Sequence, residues 1–273
     1  MNTELQSPDL ASPYPLTEAQ IDQFRNDGFI KLKDVFSREE LDYYGRELTK
    51  LVMELNPRKG IPMEQRNTYA KAFIQVGNLW TRSEVIRRFS FSRRLARIAT
   101  ELLGTRGVRM WHDQALYKEP GGGFTPWHVD QQYWPMATDQ TVTAWIPLQA
   151  TPIEMGPLSF AKGSHKLNIA RDMAISDDSE RQIQAAVEQQ RLDVVYEPYD
   201  LGEVSFHYGW TLHRAGPNTT DMPRAVHTVI YMDIDMTLAE PANENQKKDW
   251  EVFSPSTRVG EVMDDPLNPV LYP

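Results

Sequence analysis

The pattern of the sequence changes at Gly104, and this change constrains the fold more than any other feature. Before Gly104, apolar residues recur at helical spacing, and Thr17–Gln20 and Ser37–Glu40 have the form of capping boxes that open helices. After Gly104, short runs of β-branched and aromatic residues alternate with turns that contain Gly and Pro. These runs are Val108–Lys118, Thr141–Gln149, Leu158–Ala161, Glu203–His207 and Ala225–Asp233. Helices followed by many short strands predict a β-sandwich or barrel with a helical N-terminal layer.

The domain organisation that we expect is simple. A chain of 273 residues without an obvious linker predicts a single domain over residues 17–273, interrupted by one polar helix at Asp177–Gln190. Residues 1–16 are rich in proline and poor in apolar side chains, which predicts a flexible N-terminal arm. The N-terminus lacks the basic and apolar regions of a signal peptide, and apolar runs are far shorter than the ~20 residues that span a bilayer. We therefore expect a cytoplasmic protein with no membrane segment.

Composition excludes several functional classes. The chain has no cysteine, which excludes disulfides, cysteine-ligated zinc or iron–sulfur sites and a cysteine nucleophile. It carries 29 Lys and Arg against 38 Asp and Glu, a formal net charge of −9, which argues against binding to a nucleic-acid backbone. The partner that we expect is a small-molecule substrate.

The tripeptide His128-Val129-Asp130 indicates a metal site. Residues i and i+2 of an extended segment point to the same side, so the imidazole and the carboxylate can converge on one ion. Two histidines and one carboxylate are the ligands of non-haem Fe(II) oxygenases, which keep open positions for substrate and O₂. The third ligand must come from elsewhere, and the candidates are the remaining histidines, His112, His165, His207, His213 and His227.

The surroundings of His213 favour it among these candidates. A turn at Gly216-Pro217-Asn218 follows it, and Arg224 comes shortly afterwards. We therefore expect His213 and Arg224 to lie near each other across a connection between two neighbouring strands. Arginine binds carboxylates bidentately, so this pair suits an acid that chelates the metal at one end and forms a salt bridge at the other.

These motifs together resemble the phytanoyl-CoA dioxygenase family. The similar segments are Gly121–Gln131 around the HxD motif, Gly156–Phe160, Gly163–Lys166, and the spacing of eleven residues from His213 to Arg224. The resemblance covers roughly residues 17–235. It implies a mainly β fold with α-helices, a double-stranded β-helix (jelly-roll, cupin-like) core with an N-terminal helical layer.

The resemblance also implies the cofactors and their ligands. Members of the family use Fe(II), 2-oxoglutarate and O₂, which makes His128, Asp130 and His213 the iron ligands. Arg224 would then bind the C5 carboxylate of 2-oxoglutarate. Several members have a serine two residues after the distal histidine to help hold 2-oxoglutarate, but this chain has Ala215. That contact must be absent or supplied by another residue.

Two further residues are expected near the co-substrate. Trp145 lies 17 residues after His128, a spacing at which family members place a tryptophan near 2-oxoglutarate. Family members also use a residue of the strand before the HxD motif, and Gln114 is our candidate there. Strand alternation assigns it to a shared face with the following residues: Met110, His112 and Leu116.

Aromatic residues near the HxD motif predict an apolar substrate pocket. We expect Tyr133, Trp134 and Phe124 to form its wall. The irregular segment before the barrel contains polar residues of which one is a candidate substrate or co-substrate contact: Arg66, Lys71 and Gln75.

The function that we expect is hydroxylation of an aliphatic C–H bond in a small, natural-product-like molecule, with release of succinate and CO₂. Related halogenases have a small residue in place of the metal-binding carboxylate, so Asp130 favours a reaction without halide. Desaturation, cyclisation or epimerisation of a secondary metabolite are alternatives with the same cofactors. A cupin-like metal enzyme without 2-oxoglutarate would need no Arg224, and a non-enzymatic binding protein would keep only a vestigial site.

Overall fold

The computed structural model describes residues 8–273. The α-helices are α1 (Glu18–Asp27), α2 (Arg38–Leu55), α3 (Thr68–Ala72), α4 (Glu84–Ser90), α5 (Arg93–Leu103), α6 (Asp177–Gln189) and α7 (Glu244–Phe253). The strands are β1 (Phe29–Leu32), β2 (Ile74–Gly77), β3 (Val108–Tyr117), β4 (Thr125–His128), β5 (Thr141–Pro147), β6 (Leu158–Ala161), β7 (Val194–Tyr196), β8 (Val204–Tyr208), β9 (His213–Ala215), β10 (Val226–Asp233) and β11 (Val270–Tyr272). Single-turn 3₁₀ helices occupy Met63–Gln65, Leu79–Thr81, Gln131–Tyr133, Ile153–Met155 and Ser164–Lys166.

Two antiparallel sheets form the body of the protein. The larger sheet has the strand order β1-β8-β5-β10-β3-β11, with β2 also paired to β3. The smaller sheet has the order β4-β9-β6-β7. Non-consecutive neighbours in both sheets are typical of a jelly roll, and side chains of both sheets line one cavity between them. This is the jelly-roll core that the sequence led us to expect.

The helical layer covers the outer face of the larger sheet. Helix α2 begins with a capping box at Ser37 and Glu40, as its sequence predicts. Its buried residues recur at helical spacing and join the main hydrophobic core together with those of α4, α5 and the sheet: Leu41, Tyr44, Leu48 and Val52. The helix α1 ends at Gly28, where φ is +87° and a Cβ atom would lie 2.3 Å from the His165 ring. Among residues 8–273, no helix is long and apolar enough to cross a membrane.

The N-terminal segment is docked on this layer over its described part. Leu10 is buried, and its carbonyl accepts a hydrogen bond from the backbone N–H of Arg94 at 3.0 Å. The Tyr44 hydroxyl donates to the Pro8 carbonyl at 3.1 Å. The expectation of a flexible arm over residues 1–16 is therefore wrong for residues 8–16, because their backbone carbonyls find donors on α2 and α5. Residues 1–7 lie outside the described residues.

Strand β3 contains a β-bulge at Trp111 that changes which side chains share a face. His112 pairs with Ile230 and Met110 pairs with the next residue, Tyr231, so Trp111 is an extra residue in the ladder. Met110 joins the core beneath the helices, whereas His112 lines the cavity between the sheets. The predicted common face is therefore wrong for Met110, but it holds for the remaining residues: His112, Gln114 and Leu116.

The strands that carry His213 and Arg224 belong to different sheets. His213 begins β9 in the smaller sheet, whereas Arg224 precedes β10 in the larger one. The prediction that they are neighbours across a simple strand connection is wrong in its topology, because the connection crosses from one sheet to the other. Both side chains nevertheless line the cavity between the sheets.

Candidate active site

A cavity of about 350 Å³ lies between the two sheets. It contains His128, Asp130 and His213 as well as Arg224, all four of which the sequence singled out. The larger sheet contributes one wall through β3, β5, β8 and β10, and the smaller sheet contributes the other through β4, β6 and β9. A size in the range of small-molecule sites and a few converging polar groups make it the candidate active site.

Three side chains converge at one point of this cavity. His128 and His213 are register partners on the paired strands β4 and β9, and their ring centroids are 4.0 Å apart. Asp130 follows two residues after His128 and places Oδ1 at 3.7 Å from Nε2 of His128 and 3.5 Å from Nε2 of His213. One ligand atom from each of the three residues lies within 4.8 Å of the other two.

The backbone fixes both imidazoles in the state that binds metals. Nδ1 of His128 donates to the Pro126 carbonyl at 2.8 Å, and Nδ1 of His213 donates to the Thr211 carbonyl at 2.9 Å. A carbonyl only accepts, so the proton of each neutral ring sits on Nδ1 and the lone pair sits on Nε2. Burial lowers the pKa of both His128 and His213 to about 4, so both rings are neutral at pH 7.

The carboxylate of Asp130 is held through its second oxygen. Oδ2 accepts hydrogen bonds from the Thr143 hydroxyl at 3.0 Å and from Nε2 of His207 at 3.2 Å. Burial opposes ionisation of Asp130, but the adjacent imidazole of His213 and the hydrogen bond from His207 outweigh it and hold its pKa below the ordinary value. Oδ1 is thereby left facing the two Nε2 lone pairs.

This donor set fits a divalent transition metal. It offers two neutral imidazole nitrogens and one ionised carboxylate oxygen. These donors suit Fe(II), and the set contains no thiolate of the kind that selects softer metals. The outer hydrogen bonds to Pro126, Thr211, Thr143 and His207 are of the kind that orient metal ligands. His128, Asp130 and His213 could therefore hold Fe(II).

Arg224 is a buried cation without a carboxylate partner among residues 8–273. It is 1% exposed, and its Nη1 donates to the Gly156 carbonyl at 2.5 Å. Its guanidinium lies 5.3 Å from the ring centre of Trp145, and its buried Nε has no hydrogen-bond partner within the described chain. Burial lowers the pKa of Arg224 to about 10, so it remains charged at neutral pH. An anionic ligand in the cavity would supply the missing counter-charge.

Gly156 supports this position of Arg224. Its φ is +68°, and a Cβ atom there would lie 2.2 Å from the Gly216 carbonyl oxygen. Only glycine allows this close approach of two backbone segments, which places the carbonyl that Arg224 uses.

Two of the polar residues that the sequence proposed as co-substrate contacts belong to one chain of hydrogen bonds. The Tyr69 hydroxyl donates to Oε1 of Gln75 at 2.5 Å, and Nε2 of Gln75 donates to Oε1 of Gln114 at 2.6 Å. All three residues line the cavity. The Gln114 oxygen is thereby occupied, and its amide N–H groups are left to donate into the cavity. Of the irregular-segment candidates Arg66, Lys71 and Gln75, only Gln75 lines the cavity.

The aromatic wall differs from the expected one. Tyr133 and Trp134 line the cavity as predicted, and the Tyr133 hydroxyl accepts a hydrogen bond from the N–H of Ile175 at 2.8 Å. Phe124 does not line it: this residue is 40% exposed and borders a separate depression beside β7 and β9. It precedes β4, and strand pairing turns it to the outer face. The wall is completed by three aromatic residues that the sequence analysis did not assign to it: Tyr69, Phe73 and Phe253.

Helix α7 closes one end of the cavity and was missed from the sequence because its residues are mostly polar. It contributes Asn245, Lys248 and Asp249 to the lining. Asn268 fastens the end of this helix, since its amide donates to the Phe253 carbonyl at 3.0 Å. The same amide donates to the carbonyls of the bulge in β3, those of Met110 at 3.2 Å and Trp111 at 3.0 Å.

The other candidate histidines have other partners. His207 donates a hydrogen bond to Oδ2 of Asp130 and orients that carboxylate, a role that the sequence did not reveal. His165 lies 3.2 Å from the Arg25 carbonyl in a 3₁₀ turn. His227 contacts the Ser90 hydroxyl at 2.9 Å beneath the helical layer. His112 lines the cavity, where its ring stacks on that of Phe253 with the ring centroids 4.1 Å apart. None of these four joins the three-residue cluster.

Comparison with known proteins identifies the class. A jelly roll with a His–Asp–His cluster facing a buried arginine is typical of metal-dependent oxygenases, and the family model of phytanoyl-CoA dioxygenase (PhyH) matches residues 24–226. The chain therefore belongs to the phytanoyl-CoA dioxygenase family. Membership confirms the expectation of a non-haem oxygenase that uses Fe(II), 2-oxoglutarate and O₂.

Individual relatives are distant. The ectoine dioxygenase of Halomonas elongata is 26% identical over 255 residues, covering 86% of this chain and 75% of the relative. Among solved structures, the non-haem α-ketoglutarate-dependent epimerase SnoN from nogalamycin biosynthesis has a TM-score of 0.76 at 23% identity, covering 93% of this chain and 97% of that one. EctD from S. alaskensis, with 2-oxoglutarate and 5-hydroxyectoine, has a TM-score of 0.72 at 22% identity, covering 93% and 89%. These structures confirm the jelly-roll fold.

Proposed function

We propose that this protein oxidises an aliphatic C–H bond of a small, natural-product-like molecule, most simply by hydroxylation, with 2-oxoglutarate as co-substrate. The observation that carries the proposal is the placement of the His128–Asp130–His213 cluster and the unpaired cation of Arg224 in one cavity. In this proposal the three residues bind Fe(II), and Arg224 binds the C5 carboxylate of 2-oxoglutarate. Bound Fe(II) with 2-oxoglutarate supplies the oxidising power as O₂ is consumed and succinate and CO₂ are formed.

The protein's own groups bind, orient and exclude water. The Nε2 lone pairs of the two histidines and Oδ1 of Asp130 need no reorganisation before they bind a metal, because hydrogen bonds already fix them. Trp145 lies against the guanidinium of Arg224 and fills the space beside it. Gln114 directs its free amide donors towards the co-substrate.

The aromatic wall defines the substrate side of the cavity. Tyr133, Trp134 and Phe253 give it flat apolar surfaces that favour an apolar or polycyclic substrate and keep water from the reacting carbon. Ala215 lines the cavity without a hydroxyl, so the hydroxyl contact to the co-substrate is assigned to Thr125, whose oxygen accepts from Lys118 and whose proton is free to be donated into the cavity.

The test is a 2-oxoglutarate-coupled succinate assay with Fe(II) and O₂ across a library of metabolites, with Asp130→Ala as the inactive control. We expect succinate formation that depends on one class of substrate and is absent in the variant. Substrate turnover without 2-oxoglutarate would favour the cupin-like alternative, and no turnover or metal binding would favour a binding protein.

Product mass separates the outcomes that share these cofactors. Hydroxylation adds one oxygen atom, desaturation or cyclisation removes two hydrogens, and epimerisation leaves the mass unchanged. The resemblance to the epimerase SnoN and to the carbocyclase SnoK, which has a TM-score of 0.74 at 24% identity, is the reason to measure all three.

A further inference from the structure

Lys118 and Arg224 share one buried space at the end of the cavity. They are opposite each other in an antiparallel bridge, where the N–H of each donates to the carbonyl of the other at 2.9 Å. Directly opposed residues of such a pair project their side chains on the same face. Lys118 is 0% exposed and Arg224 is 1% exposed, so neither basic group reaches bulk water.

The described residues provide no acid for this pair. Nζ of Lys118 donates to the Gly123 carbonyl and, at 3.4 Å, to the Thr125 hydroxyl, both of which are uncharged. Glu119 is the next residue, but an extended chain turns it to the opposite face, where it pairs with Arg66. Thr125 itself lines the cavity, so Lys118 is separated by one hydroxyl from the space that Arg224 faces.

Keeping two adjacent buried cations charged without a counter-ion costs a large desolvation free energy. Burial, followed by the adjacent charge of Arg224, lowers the pKa of Lys118 to about 6. The pKa of Arg224 falls only to about 10, because a guanidinium starts from a much higher value. The groups facing Lys118 are Arg224 from the strand side and the uncharged Gly123 and Thr125 from the loop and β4. At neutral pH the free protein therefore holds one cation here and one neutral amine.

We propose that Lys118 takes up a proton when 2-oxoglutarate binds Arg224, so that binding of the co-substrate is coupled to the uptake of one proton from solvent. The inference rests on the proposed role of Arg224 as the C5 carboxylate site. The incoming carboxylate cancels the field of Arg224 and supplies a counter-ion for the ammonium group. An N–H bond forms on the Lys118 amine as a buffer acid gives up its proton, and no other bond changes. Lys118 is thus a positioning residue that acts through charge and does not touch the reacting atoms.

Calorimetry measures this proton directly. Protein loaded with Mn²⁺ is titrated with 2-oxoglutarate at pH 7.5 in several buffers of different ionisation enthalpy, and the dependence of the observed heat on that enthalpy gives the number of protons. We expect a value close to one for the wild type and close to zero for Lys118→Met. Lys162→Met is the matched control, because Lys162 lies at the surface beside Asp27 and should leave the wild-type value unchanged.

The pH dependence of affinity provides a second readout. Because the complex holds one proton more than the free protein, a higher pH weakens binding, and Kd should rise about tenfold per pH unit between pH 7 and 8.5. Lys118→Met should give a flat profile over the same range. Lys118→Gln keeps a donor for the Gly123 carbonyl and replaces Lys118→Met in both measurements if the methionine variant melts early.

The outcomes separate this inference from the proposed function. Tight binding of 2-oxoglutarate to the wild type with no proton uptake overturns the role of Lys118 and leaves the proposed function intact. Retained proton uptake in the folded Lys118 variants also overturns it, since another group must then take the proton. No binding of 2-oxoglutarate to the metal-loaded wild type overturns the proposed function and this inference together.

Discussion

Replacing Thr143 with valine tests how the metal-binding carboxylate is held. The change is nearly isosteric, and it removes the hydroxyl that donates to Oδ2 of Asp130 at 3.0 Å. The bond from His207 to the same oxygen, at 3.2 Å, remains. A hydrogen bond to a charged group contributes about 1.5–3 kcal/mol, and each 1.4 kcal/mol is a factor of about ten in affinity. We therefore expect Thr143→Val to bind divalent metal about 10–100-fold more weakly, the usual effect of losing a hydrogen bond that orients a metal ligand.

The assay is a competition titration with a chromophoric chelator under anaerobic conditions. Thr228→Val is the matched control, because Thr228 is equally buried in the same cavity but donates to the Gln114 carbonyl, at 3.3 Å, and does not contact Asp130. The double variant Thr143→Val/His207→Phe should depart from additivity, since both donors serve one oxygen. An affinity for Thr143→Val within about twofold of both the wild type and the control would refute the assigned role of the hydroxyl.

Four further predictions follow from the site. Asp130→Ala should abolish substrate-dependent succinate formation; full activity would contradict its role as a metal ligand. Arg224→Ala should raise the KM for 2-oxoglutarate about 10–100-fold in steady-state assays, and an unchanged KM would place the anchor elsewhere. Burial lowers the pKa of His112 to about 4, so the unfolded chain binds more protons between pH 4 and 6.5 and the free energy of unfolding falls on acidification through this range. In urea unfolding of the metal-free protein, His112→Phe should make this fall less steep, by up to about 1.4 kcal/mol per pH unit. The same slope in the variant and the wild type would be evidence against a neutral, buried His112. Tyr133→Ala should reduce turnover of the identified substrate, whereas Phe124→Ala, outside the cavity, should stay within about twofold, and the reverse order would mean that the substrate binds elsewhere.

The sequence predicted the parts of the fold that repeat a simple period. Strand β6 matches its expected bounds of Leu158–Ala161, and the capping boxes open α1 and α2 at Thr17 and Ser37. Strand β9 spans only His213–Ala215, which is too short for alternation to be visible. The bulge at Trp111 could not be predicted either, because the position of an extra residue is defined only by its pairing with the partner strand, here β10.

The predicted site residues that the structure brings together either lie close together in the chain or belong to motifs specific to the family. His128 and Asp130 are two residues apart, so extended geometry alone converges them. The contact between His207 and Asp130 joins residues 77 apart, and only the packing of the two sheets creates it, because His207 lies on β8 of the larger sheet and Asp130 follows β4 of the smaller one. Phe124 failed as a wall residue because closeness in sequence to the HxD motif does not determine which face of the small sheet it takes.

The amide of Asn268 makes one end of the cavity depend on contacts between distant parts of the chain. Its bonds to Met110 and Trp111 join residues 158 and 157 positions apart, and its third bond, to the Phe253 carbonyl, fastens the end of α7. Closing a longer loop costs more chain entropy. Ordering the end of the cavity that α7 lines therefore costs more chain entropy than bringing together His128 and Asp130, which are two residues apart.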